Sequence, residues 1–275
     1  MAQPPPERKP GNLALRVRSA ALFVPAVFVA IHFGFPWFDA VVVLAGMLML
    51  WEWARICGAG RFGLAGWFME IGILAVIAGL YFASPLLALC LLAAATAAFA
   101  LAGLAGIRGS PGYLAAGVGL IGAFVIAFVV IRSGHGDGRD LVIWLVCAVW
   151  LTDTGAYFAG RAIGGPRLAP RISPRKTWAG LAGGTLCAVV WSVLWLAWYQ
   201  GMSVIPAIAL AVLTSVLAQI GDLSVSVVKR RFGVKDASGL LPGHGGVLDR
   251  LDGMLLTAPA LAVGLVFLST EKGWT

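Results

Sequence analysis

Nine stretches of about twenty apolar residues run through this chain of 275, and they leave few architectures open. A helix rises about 1.5 Å per residue, so about twenty residues cross the roughly 30 Å hydrocarbon core of a bilayer. Lipid offers the backbone no hydrogen-bond partner, so each crossing segment must satisfy itself as a helix. The stretches fall at about 19–38, 40–57, 64–82, 85–106, 113–131, 141–160, 179–199, 203–221 and 252–270. The third and fourth meet at Ser84-Pro85, a tight turn. Only 12% of the residues are charged and the mean hydropathy is +0.92. A soluble domain carries about twice that charge. The fold class expected is therefore all-α: a polytopic integral membrane protein of about nine transmembrane helices.

The basic residues set its orientation. With nine spans, 17 of the 20 Lys and Arg fall in the N-terminal tail and the even-numbered loops, and Arg132, Arg139 and Lys272 are the remainder. Positive charge stays cytoplasmic, which puts the N-terminus inside and the C-terminus outside. The polar, proline-rich residues 1–18 read as a disordered cytoplasmic tail. Arg16 and Arg18 precede an apolar run that reaches Phe38 without a small-residue cleavage site, so the run is a span rather than a signal peptide. The net charge of +8 follows from this topogenic bias and from attraction to anionic lipid, and it implies no nucleic-acid partner. Cys57, Cys90, Cys147 and Cys187 are scattered through apolar stretches with no CxxC pair, so neither zinc nor a disulfide framework is expected.

Two cytoplasmic segments carry the polar chemistry, 150–180 and 219–253. Together they hold five of the eight aspartates, three of the five lysines and seven of the fifteen arginines. Acids and bases concentrated beside glycines suit a metal ion with phosphates. If the eighth span continues as helix past Gly221, then Asp222, Ser226, Lys229 and Arg230 share a face. Asp249 and Asp252, three residues apart, share another. Gly239, Gly243, Gly245 and Gly246 let backbone approach a ligand closely, with His244 among them. The competing readings are plain ones. Helix-end aspartates pair with arginines, and Lys229-Arg230-Arg231 is a topogenic cluster. Asp153 with Tyr157 and Arg161 forms a site wall or a local salt bridge. Lys235-Asp236 is a loop ion pair, and Glu52 pairs with Arg55 or snorkels. Regular spacing at the membrane boundary favours function for the aspartates. Neither a Walker A motif nor G-x-S-x-G occurs.

The stretch SVVKRRFGVKDASGLLPGHGGVLDRLD, Ser226 to Asp252, resembles the signature of the phosphatidate cytidylyltransferase (CDP-diacylglycerol synthase) family, S-x-x-K-R-x4-K-D-x-[GSA]-x2-[LIF]-x2-H-G-G-x2-D-R-x-D. Each fixed position is met, from Ser226, Lys229, Arg230, Lys235 and Asp236 through Ser238, His244, Gly245 and Gly246 to Asp249, Arg250 and Asp252. Gln219-Ile220-Gly221-Asp222, the segment from Asp153 to Arg161 and Ser173-Pro174-Arg175-Lys176-Thr177 also resemble family segments, so the likeness covers about 150–252. In one place the chain departs: Ala179 stands where the family often has Glu, and no ligand is assigned there.

The resemblance implies that CTP and phosphatidate give CDP-diacylglycerol and pyrophosphate, by metal-assisted in-line nucleotidyl transfer in phospholipid synthesis. It implies Mg²⁺ held by Asp222, Asp249 and Asp252, and a two-metal centre that adds a second cation. Asp222, Lys229, Arg230, Asp249, Arg250 and Asp252 form the expected catalytic set. Ser173, Lys176, Ser226, His244, Gly245, Gly246 and Asp153 form the expected substrate-binding set. A homodimer is a further family expectation. Residues 19–140 are then N-terminal transmembrane helices, and 141–275 a catalytic transmembrane region in the cytoplasmic (inner) membrane with its active site facing the cytoplasm. The alternative from another class is a secondary transporter, which predicts mid-span charges and matched inverted halves. A CDP-alcohol phosphatidyltransferase would show D-G-x2-A-R-x8-G-x3-D-x3-D, which is absent. A non-catalytic lipid-binding scaffold is a third reading.

Overall fold

The computed structural model describes residues 12–58, 60–102, 110–134, 137–199, 201–241 and 243–272. In chain order these form helices α1 (Asn12–Phe33), α2 (Trp37–Cys57), α3 (Gly63–Phe82), α4 (Pro85–Ala102), α5 (Pro111–Ser133) and α6 (Gly138–Ala162). Strands β1 (Arg167–Ala169) and β2 (Ser173–Thr177) follow, then α7 (Trp178–Trp195), α8 (Val204–Arg231), α9 (Leu248–Leu251) and α10 (Met254–Lys272). Six helices (α2, α3, α5, α6, α7 and α8) are long and apolar enough to cross a membrane. Shorter apolar runs lie in the other three long helices, at Phe23–Phe33, Pro85–Leu101 and Met254–Val266. The chain is mostly helical, with helices whose length and composition suit a membrane span.

Local chemistry sets the helix ends. The turn at Ser84 opens α4 with Pro85 in the first position, where a missing N–H costs nothing, and the Ser84 hydroxyl accepts from Leu87 N at 3.1 Å. Pro111 opens α5 in the same way. Helix α1 starts at Asn12, inside the segment 1–18 expected as tail, while residues 1–11 lie outside the described residues. The end of the expected fourth span, 103–106, and Arg108 lie outside them too. Helix α8 runs ten residues beyond its expected end at 221. Its 28 residues measure about 42 Å, longer than the roughly 30 Å hydrocarbon core of a bilayer, and its last turn carries Lys229, Arg230 and Arg231.

The all-helical expectation needs one correction. Residues 167–177 form an antiparallel two-stranded hairpin, with Arg167 opposite Thr177 and Ala169 opposite Ser173. Pro166, Pro170 and Pro174 deny this stretch the N–H groups a helix would need.

Helix α5 is the most buried candidate span and packs against α2, α3, α4, α6 and α10. Met49, Leu50, Trp53, Ile121, Phe124, Phe128 and Leu145 meet in the core around it. The Trp53 indole lies so close to Gly117 that a Cβ there would sit 2.4 Å from its ring, and its N–H donates to Tyr113 O at 2.7 Å. Helices α6 and α7 approach through small residues: a Cβ on Gly155 would lie 2.5 Å from Cys187 Sγ, and one on Gly183 would lie 2.2 Å from Ala159 Cβ. Lipid supplies no hydrophobic drive between helices, so such close backbone packing is what holds them. The close α6–α7 pair presents Asp153 beside the hairpin.

Candidate active site

Four side chains of α8, Gln219, Asp222, Ser226 and Lys229, follow one another at helical spacing and form one polar stripe. Ser226 Oγ donates to Asp222 Oδ1 at 3.2 Å, as a four-residue spacing requires. Helix α8 continues past Gly221 as expected and aligns Asp222, Ser226 and Lys229, while Arg230, expected on the same face, bonds the Val234 and Ile172 carbonyls. Lys176, at the end of β2, projects onto this stripe. Its Nζ lies 2.6 Å from Asp222 Oδ2 and donates to Gln219 Oε1 at 3.0 Å. The next residue, Thr177, caps α7 by accepting from Gly180 N at 3.0 Å, which fixes where the strand ends and the helix begins. Ala179 is half-buried in that first turn, which has no acidic residue.

Asp153, Tyr157, Arg175, Lys176, Gln219 and Asp222 line a cavity of about 250 Å³ between α6, the hairpin and α8. Asp153 thus lines a cavity, and among the described residues it forms no ion pair with Arg161. Tyr157 and Arg161 bond each other instead, with 3.0 Å between hydroxyl and guanidinium. Ser173 stands at the start of β2, away from the Lys176 end of the strand.

The second half of the site is a loop folded back on α8. Leu241 N donates to Gly245 O at 2.9 Å and Gly245 N to Leu241 O at 3.1 Å, closing a tight turn around His244. Gly245 has φ of +87°, a left-handed conformation open to glycine. Arg250 donates from Nε and Nη2 to His244 O at 2.9 and 2.7 Å and so braces that turn. Arg230 reaches Val234 O at 3.2 Å and Ile172 O at 3.5 Å, tying the end of α8 to the loop and the hairpin. Both arginines thus hold backbone carbonyls.

Asp249 has both oxygens engaged by protein donors. Oδ1 lies 2.6 Å from Lys229 Nζ, and Oδ2 accepts from Ala237 N at 2.8 Å and Gly246 N at 3.1 Å. Asp252, between α9 and α10, is buried and accepts from Gly253 N at 2.9 Å. Its carboxyl is pushed well above the ordinary carboxylate range, first by burial and then by the Asp222 charge, against an opposing pull from Lys229. Close packing creates this crowding: a Cβ on Gly221 would lie 2.5 Å from Asp252 O. The structure therefore brings Asp222 and Asp252 into one acidic pocket and gives Asp249 to the loop. Among the described residues, no three carboxylate, imidazole or thiol groups stand together as a ready-made metal cage.

Two plain readings fail. Among the described residues the ion pairs are Arg139–Asp140, Lys176–Asp222 and Lys229–Asp249, so Lys235 and Asp236 are not one of them. Glu52 neither pairs with Arg55 nor snorkels. Arg55 stacks over the Trp51 ring at 4.6 Å and donates to Gly60 O. Glu52 is fully buried, and its carboxylate accepts from Val247 N at 2.9 Å, Leu248 N at 2.7 Å and Ser238 Oγ at 2.5 Å. The one sequence signal for this was an acid inside an apolar span. Its partners stand up to 196 residues away, beyond the reach of any spacing rule.

The family model described as the cytidylyltransferase family matches residues 14–268. The phosphatidate cytidylyltransferase of Brucella suis is 36% identical over 263 residues, covering 93% of this chain and 94% of that protein. That of Rickettsia felis is 30% identical over 257 residues, 91% of each chain. That of Haemophilus influenzae is 41% identical over 127 residues, 44% of each.

Proposed function

The chain belongs to the cytidylyltransferase family, and from that premise we propose that it is a nucleotidyltransferase converting CTP and phosphatidate to CDP-diacylglycerol and pyrophosphate. The observation that carries the reading is the polar stripe of α8, where Lys176 and Lys229 each meet an aspartate beside the acidic Asp222–Asp252 pocket. A lipid phosphate oxygen forms the new bond to the α-phosphorus of CTP as the bond from that phosphorus to the bridging oxygen breaks. Pyrophosphate leaves with that bonding pair. The lipid phosphate is already ionised at neutral pH, so the site needs no strong base.

The donor set fits a hard divalent cation. Two carboxylates, buried Asp252 and partly exposed Asp222, stand where their charges repel, and Mg²⁺ takes one or two such oxygens while completing its shell with water and phosphate. Asp222 and Asp252 would hold it, with Asp249 joining as Lys229 turns to phosphate. When bound, the ion neutralises the triphosphate; a second cation is the finer form of the same proposal. The chain's own residues do the rest. Lys176 and Lys229 exchange carboxylate for phosphate oxygens and stabilise charge on the leaving pyrophosphate. Arg230 and Arg250 fix the loop and add positive field. Ser226 orients Asp222. Gly245 and Gly246, with His244 and Ser173, let backbone and side-chain donors approach the nucleotide, and Asp153 bounds the cavity.

We assign nine spans with the N-terminus cytoplasmic, the site facing the cytoplasm, and the inner membrane as location. Helix-end contacts support this alternation. At one end Glu52 meets Leu248 and Lys176 meets Asp222. At the other Tyr81 bonds Asp39, and Arg132 donates to Ile31 O at 2.9 Å. A homodimer is part of the same family-based reading. The transporter reading has no such support, because the acid–base cluster sits at one end of the helices. The test is labelled CTP with Mg²⁺ and a panel of lipid phosphates. Pyrophosphate and labelled lipid are expected with phosphatidate, and turnover without phosphatidate or without added divalent cation would refute the corresponding part.

A further inference from the structure

Glu52 lies on α2, in the half of the chain that carries none of the signature, yet among the described residues its hydrogen-bond partners belong to the loop that carries the signature's end. It has no exposure at all, so its charge must be satisfied inside the protein. Three donors satisfy it: the amides of Val247 and Leu248, where α9 begins, and the Ser238 hydroxyl. Hydrogen bonds to a buried carboxylate are stronger than neutral ones, so this contact fixes the loop more firmly than a turn alone could. The residues beside it have adapted. A Cβ on Gly246 would lie 2.6 Å from Glu52 Oε1, so glycine is what allows the carboxylate to reach the amides behind it.

What the contact positions is specific. The next two residues after Leu248 are Asp249, which holds Lys229 at 2.6 Å, and Arg250, which holds His244 O. Asp249 also gathers the amides of Ala237 and Gly246. The loop from 237 to 252 is thus clamped between two carboxylates. Asp249 grips it from within and joins it to α8, and Glu52 grips it from α2 and joins it to the N-terminal helices.

We propose that Glu52 is a positioning residue for nucleotidyl transfer: it sets the place of α9, and through it the register of Asp249, Arg250 and Lys229 against the α8 stripe. This rests on the transfer reaction proposed above. The expected signature is a loss in kcat without a loss of lipid binding, because the loop acts on the phosphates rather than on the acyl chains.

The test uses the full-length protein in detergent or vesicles. Glu52→Gln keeps the shape, but its amide nitrogen can only donate, so at least one of the three donors loses its acceptor. In folded Glu52→Gln, kcat falls about tenfold or more while KM for phosphatidate stays within about twofold. Hydrogen–deuterium exchange of the 244–251 peptide speeds up. Glu52→Asp keeps both acceptor oxygens and recovers part of kcat. Ser238→Ala removes one donor and no charge, lowers kcat by about threefold to fivefold, and carries the test if Glu52→Gln does not fold. Wild-type kcat in folded Glu52→Gln overturns the proposal, as does wild-type kcat in Ser238→Ala when Glu52→Gln fails to fold. So does a kcat loss that matches the loss of folded protein. If wild-type protein turns over no phosphatidate, the function reading falls by itself, and the exchange of the 244–251 peptide still decides whether Glu52 holds the loop. Unchanged protection in Glu52→Gln rejects it.

Discussion

Lys229 and Asp249 stand 2.6 Å apart, each with 9% of its side chain exposed, and their contact joins α8 to α9 across the signature loop. A pair this buried is costly to desolvate and more costly to break, because removing one partner strands the other charge. Asp249→Asn also weakens the acceptor of two loop amides. We expect it to lower thermal stability, by about 3 kcal/mol where the protein still folds, and to abolish pyrophosphate release. Lys229→Met with Asp249→Asn strands no charge and keeps an acceptor oxygen for the loop amides, so it should restore much of the stability and none of the activity. Melts in detergent beside the CTP assay check both halves; an active double variant would remove Lys229 and Asp249 from the chemistry.

Asp252 predicts the opposite separation. Its carboxyl is pushed up by burial and by the Asp222 charge, so the native state gains nothing from its ionisation. Asp252→Asn is nearly the same size and relieves that repulsion. The expected outcome is unchanged or slightly raised stability with activity lost, since one of the proposed cation ligands is gone. A cooperative melt at lower temperature than wild type would show that Asp252 holds structure instead.

Lys176 and Asp222 are both partly open to the cavity, so their ion pair contributes little to stability after solvent screening. Their value lies in what replaces the pair. Lys176→Ala should leave the melt within about 1 kcal/mol of wild type and lower kcat/KM for CTP about a hundredfold. Asp222→Asn should abolish turnover at any Mg²⁺ concentration. A divalent-cation titration on both variants separates the roles: Lys176→Ala keeps the wild-type midpoint, and a shifted midpoint there would assign the lysine to the cation site.

Much of the fold and site was legible because membrane physics is written locally. Apolar length gave the positions of the long helices, and Ser84-Pro85 marked the α3–α4 turn. Spacings of four and then three residues placed Asp222, Ser226 and Lys229 on one face. What remained hidden depended on partners far apart in sequence. The prolines of 166–174 excluded helix but did not by themselves spell out a hairpin. Asp249 and Asp252 look equivalent at a spacing of three, yet one ends on loop amides and the other in the acidic pocket, because packing between α8 and the α9–α10 turn separates them. Glu52 resembled any acid near a span end until its distant amides came into view.

Gly221 tests whether that packing makes the pocket. On an isolated helix, glycine to alanine stabilises by about 1 kcal/mol, because glycine loses the most backbone freedom on folding. In α8 the new Cβ would lie 2.5 Å from Asp252 O and 3.5 Å from Gly253 Cα, backbone that cannot rotate aside. The clash must push the 252–253 turn away from α8 and carry Asp252 off Asp222. Overpacking of this kind costs about 1 to 3 kcal/mol, so the net loss of stability should be modest. Activity should fall much further, because a shift of about 1 Å at a phosphoryl site costs about a hundredfold. Kinetics and melts of Gly221→Ala measure the two separately. Wild-type kcat in that variant would show that the closeness of Asp222 and Asp252 is not required for turnover.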